Sequence, residues 1–193
     1  MKILHGFLLL CGFALAGLMM PLRAEAQQQP EVQKIPQEAV QIRLKGIDGK
    51  TYDVAEMRGN VLLVSFGATW CVPCKDEVVA LEELKREYKD RPVKFMWVSI
   101  DSEDEISDKA LGAYARKQKL SFPVLRDTLK LAYAQFTSRV RVPLVVFFDK
   151  EGRLSLPNHF GMSASMDLYK NTLRARLNKL LEERAGAQNA PAN

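Results

Sequence analysis

The sequence predicts an α/β layer fold, on three observations. Residues 61–66 (Val-Leu-Leu-Val-Ser-Phe) form a nearly continuous apolar run, the pattern of a strand covered on both faces. In residues 72–88 the side chains Val78, Leu81, Leu84 and Tyr88 recur at helical spacing. A second buried-strand run, residues 93–100, follows, and strand and helix patterns go on alternating, the order that stacks helices on a sheet.

The N-terminal residues stand apart from that layer. Lys2 precedes an uncharged, almost wholly apolar stretch, residues 3–20. Pro21 breaks it, and Ala24-Glu25-Ala26 has the small-x-small form of a cleavage site. Residues 1–26 read as an export signal cleaved after Ala26. The rival is an uncleaved membrane anchor, because the run just reaches spanning length. Either way the rest of the chain lies outside the cytoplasm, in the periplasm or an equivalent extracytoplasmic space. Cys11 falls within the signal, and Leu10 stands where a lipoprotein site would need a small residue. Residues 27–38, rich in Gln and Pro, read as a linker, and residues 187–193 as a flexible tail. The folded domain is expected over residues 39–186.

Within it, residues 40–44 alternate apolar and polar before the turn Gly46-Ile47-Asp48-Gly49, which predicts a short N-terminal hairpin. Residues 107–119 read as a helix, 122–125 as a short strand and 129–136 as a short helix. Residues 144–148 read as a strand, Asp149-Lys150-Glu151-Gly152 as a turn and 153–156 as its hairpin partner, so the sheet gains antiparallel pairs. The last helix is expected over 164–184, with Tyr169, Leu173, Leu177 and Leu180 on one face and Gly186 beyond its end.

At 193 residues, 47% hydrophobic and 26% charged, the chain suits one globular domain and excludes a disordered, collagen-like or coiled-coil protein. Its net charge of +5, or +4 without residues 1–26, is spread among acids with no basic stripe. A solvated surface is the reading, and no nucleic-acid partner is expected.

Three cysteines are too few for a disulfide scaffold. Cys71 and Cys74 lie in Trp70-Cys71-Val72-Pro73-Cys74, where a buried strand meets an amphipathic helix. Cys71 falls at the helix N-cap, where unpaired N–H groups and the positive end of the dipole favour a thiolate. Cys74, one turn on, faces the same way and is placed to resolve a mixed disulfide on Cys71. Pro73 costs no helical bond in the first turn. Three other readings of the pair are weaker. A disulfide across so short a loop staples little. Zinc would need more ligands than His159, the one histidine outside the signal, supplies, and haem attachment would need histidine where Lys75 stands. No metal or other cofactor is expected.

The segment Phe66-Gly67-Ala68-Thr69-Trp70-Cys71-Val72-Pro73-Cys74-Lys75 resembles the active-site segment of thioredoxin-like proteins, and Lys75-Asp76-Glu77 resembles their exported TlpA/ResA type. The resemblance covers roughly residues 40–184. It implies a thioredoxin fold: a central mixed sheet flanked by helices, with an N-terminal hairpin and a central helix–strand insert at 107–125. It implies a cis proline at Arg141-Val142-Pro143, opposite the cysteines, with the Val142 backbone pairing to an extended substrate and Trp70 beside Cys71 contacting partners. It also implies that Glu77, on the helix face of Cys74, sets thiol acidity and relays a proton. Thioredoxins usually carry a buried Asp where this chain has Ser65, which leaves Glu77 as the nearby acid. The chain departs from the family at Gly67, usually aromatic, and at Leu144, commonly Thr.

The expected function is thiol–disulfide exchange on cysteines of exported proteins, as a reductant in cytochrome c or oxidase assembly, by a monomer served by a membrane electron donor. A disulfide oxidase or isomerase is the alternative. A peroxiredoxin-type peroxidase is disfavoured because Thr69 is two residues before Cys71 rather than three, and a copper chaperone because only His159 is at hand. The acidic run Asp101, Glu103, Asp104, Glu105 and Asp108 reads as a helix start, with Ser102 and Glu105 as its capping box. His159 reads as a surface or loop residue.

Overall fold

A computed structural model describes residues 40–183. The export signal, the linker, the tail, Cys11 and Gly186 lie outside the described residues.

The protein builds on β3 (Val61–Gly67) and β4 (Val93–Ser99), which run parallel in register, Val61 beside Val93 through Gly67 beside Ser99. Period-two alternation splits β3 between the two sides of the sheet. Val61 and Leu63 pack into one core, and Leu62, Val64 and Phe66 into the other. The first core is roofed by α1 (Val72–Glu87), α2 (Asp108–Lys117) and α3 (Met166–Glu182). Their buried stripes supply Val78, Leu81 and Leu84, then Leu111 and Ala115, then Tyr169, Leu173 and Leu177. The second core contains Ile42, Val54, Tyr133 and both cysteines of the pair.

The sheet is mixed and seven-stranded, in the order β2-β1-β5-β4-β3-β6-β7, where β1 is Arg43–Gly46, β2 Thr51–Asp53, β5 Val124–Arg126, β6 Leu144–Phe148 and β7 Leu154–Phe160. The central insert supplies α2 and β5. β5 extends the sheet beside β4 and gives the N-terminal hairpin β1–β2 an antiparallel seat. Among the described residues no helix is long and apolar enough to cross a membrane.

Three local expectations change. Residues 129–136 form only a single 3-10 turn, Tyr133–Gln135. The Asp127 carboxylate accepts the Ala132 and Tyr133 N–H groups at 3.3 and 2.8 Å, and Lys130 sits at φ 56°, so the backbone bonds to a side chain and bends instead of winding into a helix. Ser102 and Glu105 do not begin α2. The Ser102 N–H donates to Glu105 at 2.7 Å within a turn, and the helix is capped by Ser107, whose hydroxyl accepts the Ala110 N–H at 3.3 Å. β7 continues four residues past the expected 156, through Pro157, which is tolerated because β7 is an edge strand.

Candidate active site

β3 ends at Gly67, and the chain turns through Ala68, Thr69 and Trp70 into α1. The Cys71 N–H donates to the Ala68 carbonyl at 3.1 Å, closing the turn. Cys71 is the N-cap residue, in extended conformation, and its Sγ accepts the Cys74 N–H at 3.2 Å. Pro73 lies in the first turn, where its missing N–H costs nothing. Cys71 and Cys74 are joined by a disulfide, with Cα atoms 5.3 Å apart. Cys71 keeps 4% of its surface exposed and Cys74 none, so an incoming group reaches the Cys71 sulfur first. Once the bond is reduced, the N-cap position stabilises charge on that sulfur.

Glu77 is fully buried on the helix turn after Cys74, among apolar neighbours. The Ser65 hydroxyl donates to one carboxyl oxygen at 2.8 Å and the Tyr169 hydroxyl to the other at 2.8 Å. Burial pushes the Glu77 pKa up to about 7, against the pull of these two hydrogen bonds. The site thus holds a carboxyl group able to take or give a proton near neutral pH. Ser65, at the position where thioredoxins carry their buried acid, serves here as a donor to Glu77 instead.

Asp101 is the residue the sequence reading misplaced. It is not a helix-start acid but a buried group at the end of β4, facing the cysteine loop. Its carboxylate accepts the Thr69 N–H at 3.0 and 3.1 Å, the Thr69 hydroxyl at 2.8 Å and the Ser99 hydroxyl at 2.6 Å. These bonds pin the residue two before Cys71. The available signal was position: Asp101 directly follows a buried strand parallel to β3, at the end where Cys71 must sit.

Val142-Pro143 is a cis peptide bond. Pro143 precedes β6, and Leu144 pairs with Phe66 in β3, which puts the proline at the cysteine end of the sheet. Val142 packs against the core that contains Cys71 and Cys74. The Tyr133 hydroxyl holds this loop, accepting the Arg141 N–H at 2.6 Å and reaching the Arg141 carbonyl at 3.0 Å. Trp70 is half-exposed beside Cys71, as a surface contact residue would be. The missing aromatic at Gly67 is compensated by a neighbour. The fully buried Trp97 lays its indole so close that a Cβ on Gly67 would stand 2.8 Å from Nε1.

His159 is a strand residue, not a loop residue. It lies half-buried in β7, its ring edge-on to Tyr169 at 5.2 Å. Burial moves its pKa down. Among the described residues no cluster of His, Cys, Asp and Glu is arranged to hold a metal ion.

Comparison with known proteins adds a decisive match: residues 35–156 fit the AhpC/TSA family over more than half of the chain. The chain belongs to the AhpC/TSA family. Among curated relatives, this AhpC/TSA chain is 35% identical over 91 residues to the Thioredoxin-like protein YneN of Bacillus subtilis, covering 47% of this chain and 52% of that protein. It is 33% identical over 81 residues to the Thiol-disulfide oxidoreductase ResA of Oceanobacillus iheyensis, covering 42% of this chain and 40% of that one. The chain thus spans about half the length, or less, of these two relatives. Among solved structures, a thiol:disulfide interchange protein of the thioredoxin family from Chlorobium tepidum superposes with a TM-score of 0.61 at 21% identity, over 74% of this chain and 94% of that one. That likeness shows the thioredoxin fold.

Proposed function

We propose that this AhpC/TSA chain is a thiol–disulfide oxidoreductase acting on cysteines of proteins outside the cytoplasm. The observation that carries the reading is the Cys71–Cys74 disulfide at a helix N-cap, with the more accessible sulfur on the capping residue. In the reduced protein the Cys71 thiolate attacks a partner disulfide, forming a mixed disulfide and releasing one partner thiolate. Cys74 then gives its proton to Glu77 and attacks Cys71. The second partner sulfur leaves as thiolate and takes its proton from water, and two electrons have passed from the pair to the partner. Trp70, Val142 and Pro143 line the surface on which the partner strand lies.

The direction we favour is reduction, in the assembly of cytochrome c or an oxidase, with a membrane electron donor restoring the dithiol. The resemblance of Lys75-Asp76-Glu77 to the TlpA/ResA type is what supports that direction, while the printed name of the relative from Oceanobacillus iheyensis, a thiol-disulfide oxidoreductase, supports the exchange chemistry itself. The chain is taken as a monomer, exported by residues 1–26 and either released by cleavage or held by an uncleaved signal, with 27–38 as linker, 39–186 as the working domain and 187–193 as tail.

A peroxidase reading, raised by the family match, is opposed by the loop. The Thr69 hydroxyl donates to Asp101, and the position three before Cys71 is Ala68. The test is covalent trapping. Cys74→Ser should accumulate a stable mixed disulfide with an unfolded, disulfide-containing substrate protein, and Cys71→Ser should not. Equal trapping by both variants, or by neither, contradicts the assignment.

A further inference from the structure

Tyr169 sits in the apolar stripe of α3 with Leu173, Leu177 and Leu180, where a phenylalanine would fill the same space. A hydroxyl buried there is costly unless it is bonded. It finds its partner 92 residues away in sequence, donating to Glu77 at 2.8 Å. The Ser65 hydroxyl takes the other carboxyl oxygen from the β3 side. The acid is therefore clamped between the sheet and the last helix, one oxygen to each. The Tyr169 ring is itself steadied by His159 of β7, edge-on at an interplanar angle of 65°.

We propose that Tyr169 is a positioning residue for the exchange reaction, its hydroxyl holding the Glu77 carboxyl where it trades a proton with Cys74. The proposal rests on the oxidoreductase reading above. Both donors favour the charged carboxylate, so loss of either makes Glu77 harder to ionise. The other titratable groups around this carboxyl are His159, behind the Tyr169 ring, and Tyr114 of α2, whose hydroxyl feels the charges of Asp101 and Glu77.

The experiment follows the alkylation rate of the reduced cysteines against pH in the wild type, Tyr169→Phe, Glu77→Gln and the double variant. Tyr169→Phe keeps the ring and removes only the hydroxyl. It should move the Glu77-dependent step of the profile up by about one pH unit. In the Glu77→Gln background the same change should move nothing. An unmoved profile in Tyr169→Phe, or a shift that persists without Glu77, overturns the proposal. Should Tyr169→Phe fail to fold, carbon NMR of the unsubstituted protein decides. The Tyr169 ring carbon bearing the hydroxyl should titrate with the midpoint of the Glu77 carboxyl, and an insensitive ring overturns the proposal. Mixed-disulfide formation by Cys74→Ser is measured alongside. Its absence defeats the oxidoreductase reading, whereas its presence with an unmoved profile defeats the Tyr169 role alone.

Discussion

Two carboxyl groups are buried near the Cys71–Cys74 pair and are bonded differently, Asp101 to the loop before Cys71 and Glu77 one helix turn after Cys74. Asp101 accepts hydrogen bonds from Thr69 and Ser99 and fixes the loop in front of Cys71. Glu77 has only two hydroxyl donors for a fully buried carboxyl, and its pKa rises to about 7. A charged Glu77 opposes a second negative charge on the neighbouring sulfurs. Glu77→Gln is therefore expected to lower the apparent thiol pKa by about one unit, read from thiolate absorbance of the reduced protein, and an unchanged titration sinks the idea. The Cys71–Cys74 pair and the place of Glu77 one helix turn after Cys74 were legible in the sequence because CxxC spacing and helical periodicity are local signals, whereas a role for Glu77 is implied only by the family resemblance. Asp101 was misread and Tyr169 passed over as a core aromatic. Their roles depend on contacts 32 and 92 residues away in the chain, which no local pattern encodes.

At the scale of elements, β3, β4 and α1 were legible because each is a long stretch with one hydrophobic period. The stretch 129–136 was not. Its apolar residues suit a helix, but Asp127 bonds the Ala132 and Tyr133 N–H groups and leaves a single 3-10 turn. The same turn gives Tyr133 the position from which its hydroxyl steadies the loop before Pro143. Gly67 shows how one element limits another. The end of β3 is bare so that Trp97 of β4 can cover it, and an added Cβ would meet the indole Nε1 at 2.8 Å. Gly67→Ala is predicted to destabilise by about 1–3 kcal/mol in urea unfolding, as overpacking of a filled core does. A neutral result would mean that the indole is free to move.

For the molecule as a whole, one buried acid ties stability to pH. The Glu77 pKa is about 7 in the folded chain against an ordinary 4.5, so unfolding lets it ionise more readily. Stability from this group is complete below about pH 4.5 and is lost as pH rises through about 7, a difference of roughly 3 kcal/mol. Glu77→Gln should flatten the unfolding free energy between those limits, and a variant that keeps the wild-type slope contradicts the assignment of that slope to Glu77. The central claim concerns the whole protein as an electron carrier, and its most direct test is the reduction potential of the Cys71–Cys74 pair, by equilibration with glutathione buffers. A reductant is predicted to lie near the thioredoxin range, about −270 mV, and a value near that of a strong oxidant, about −120 mV, would contradict the account.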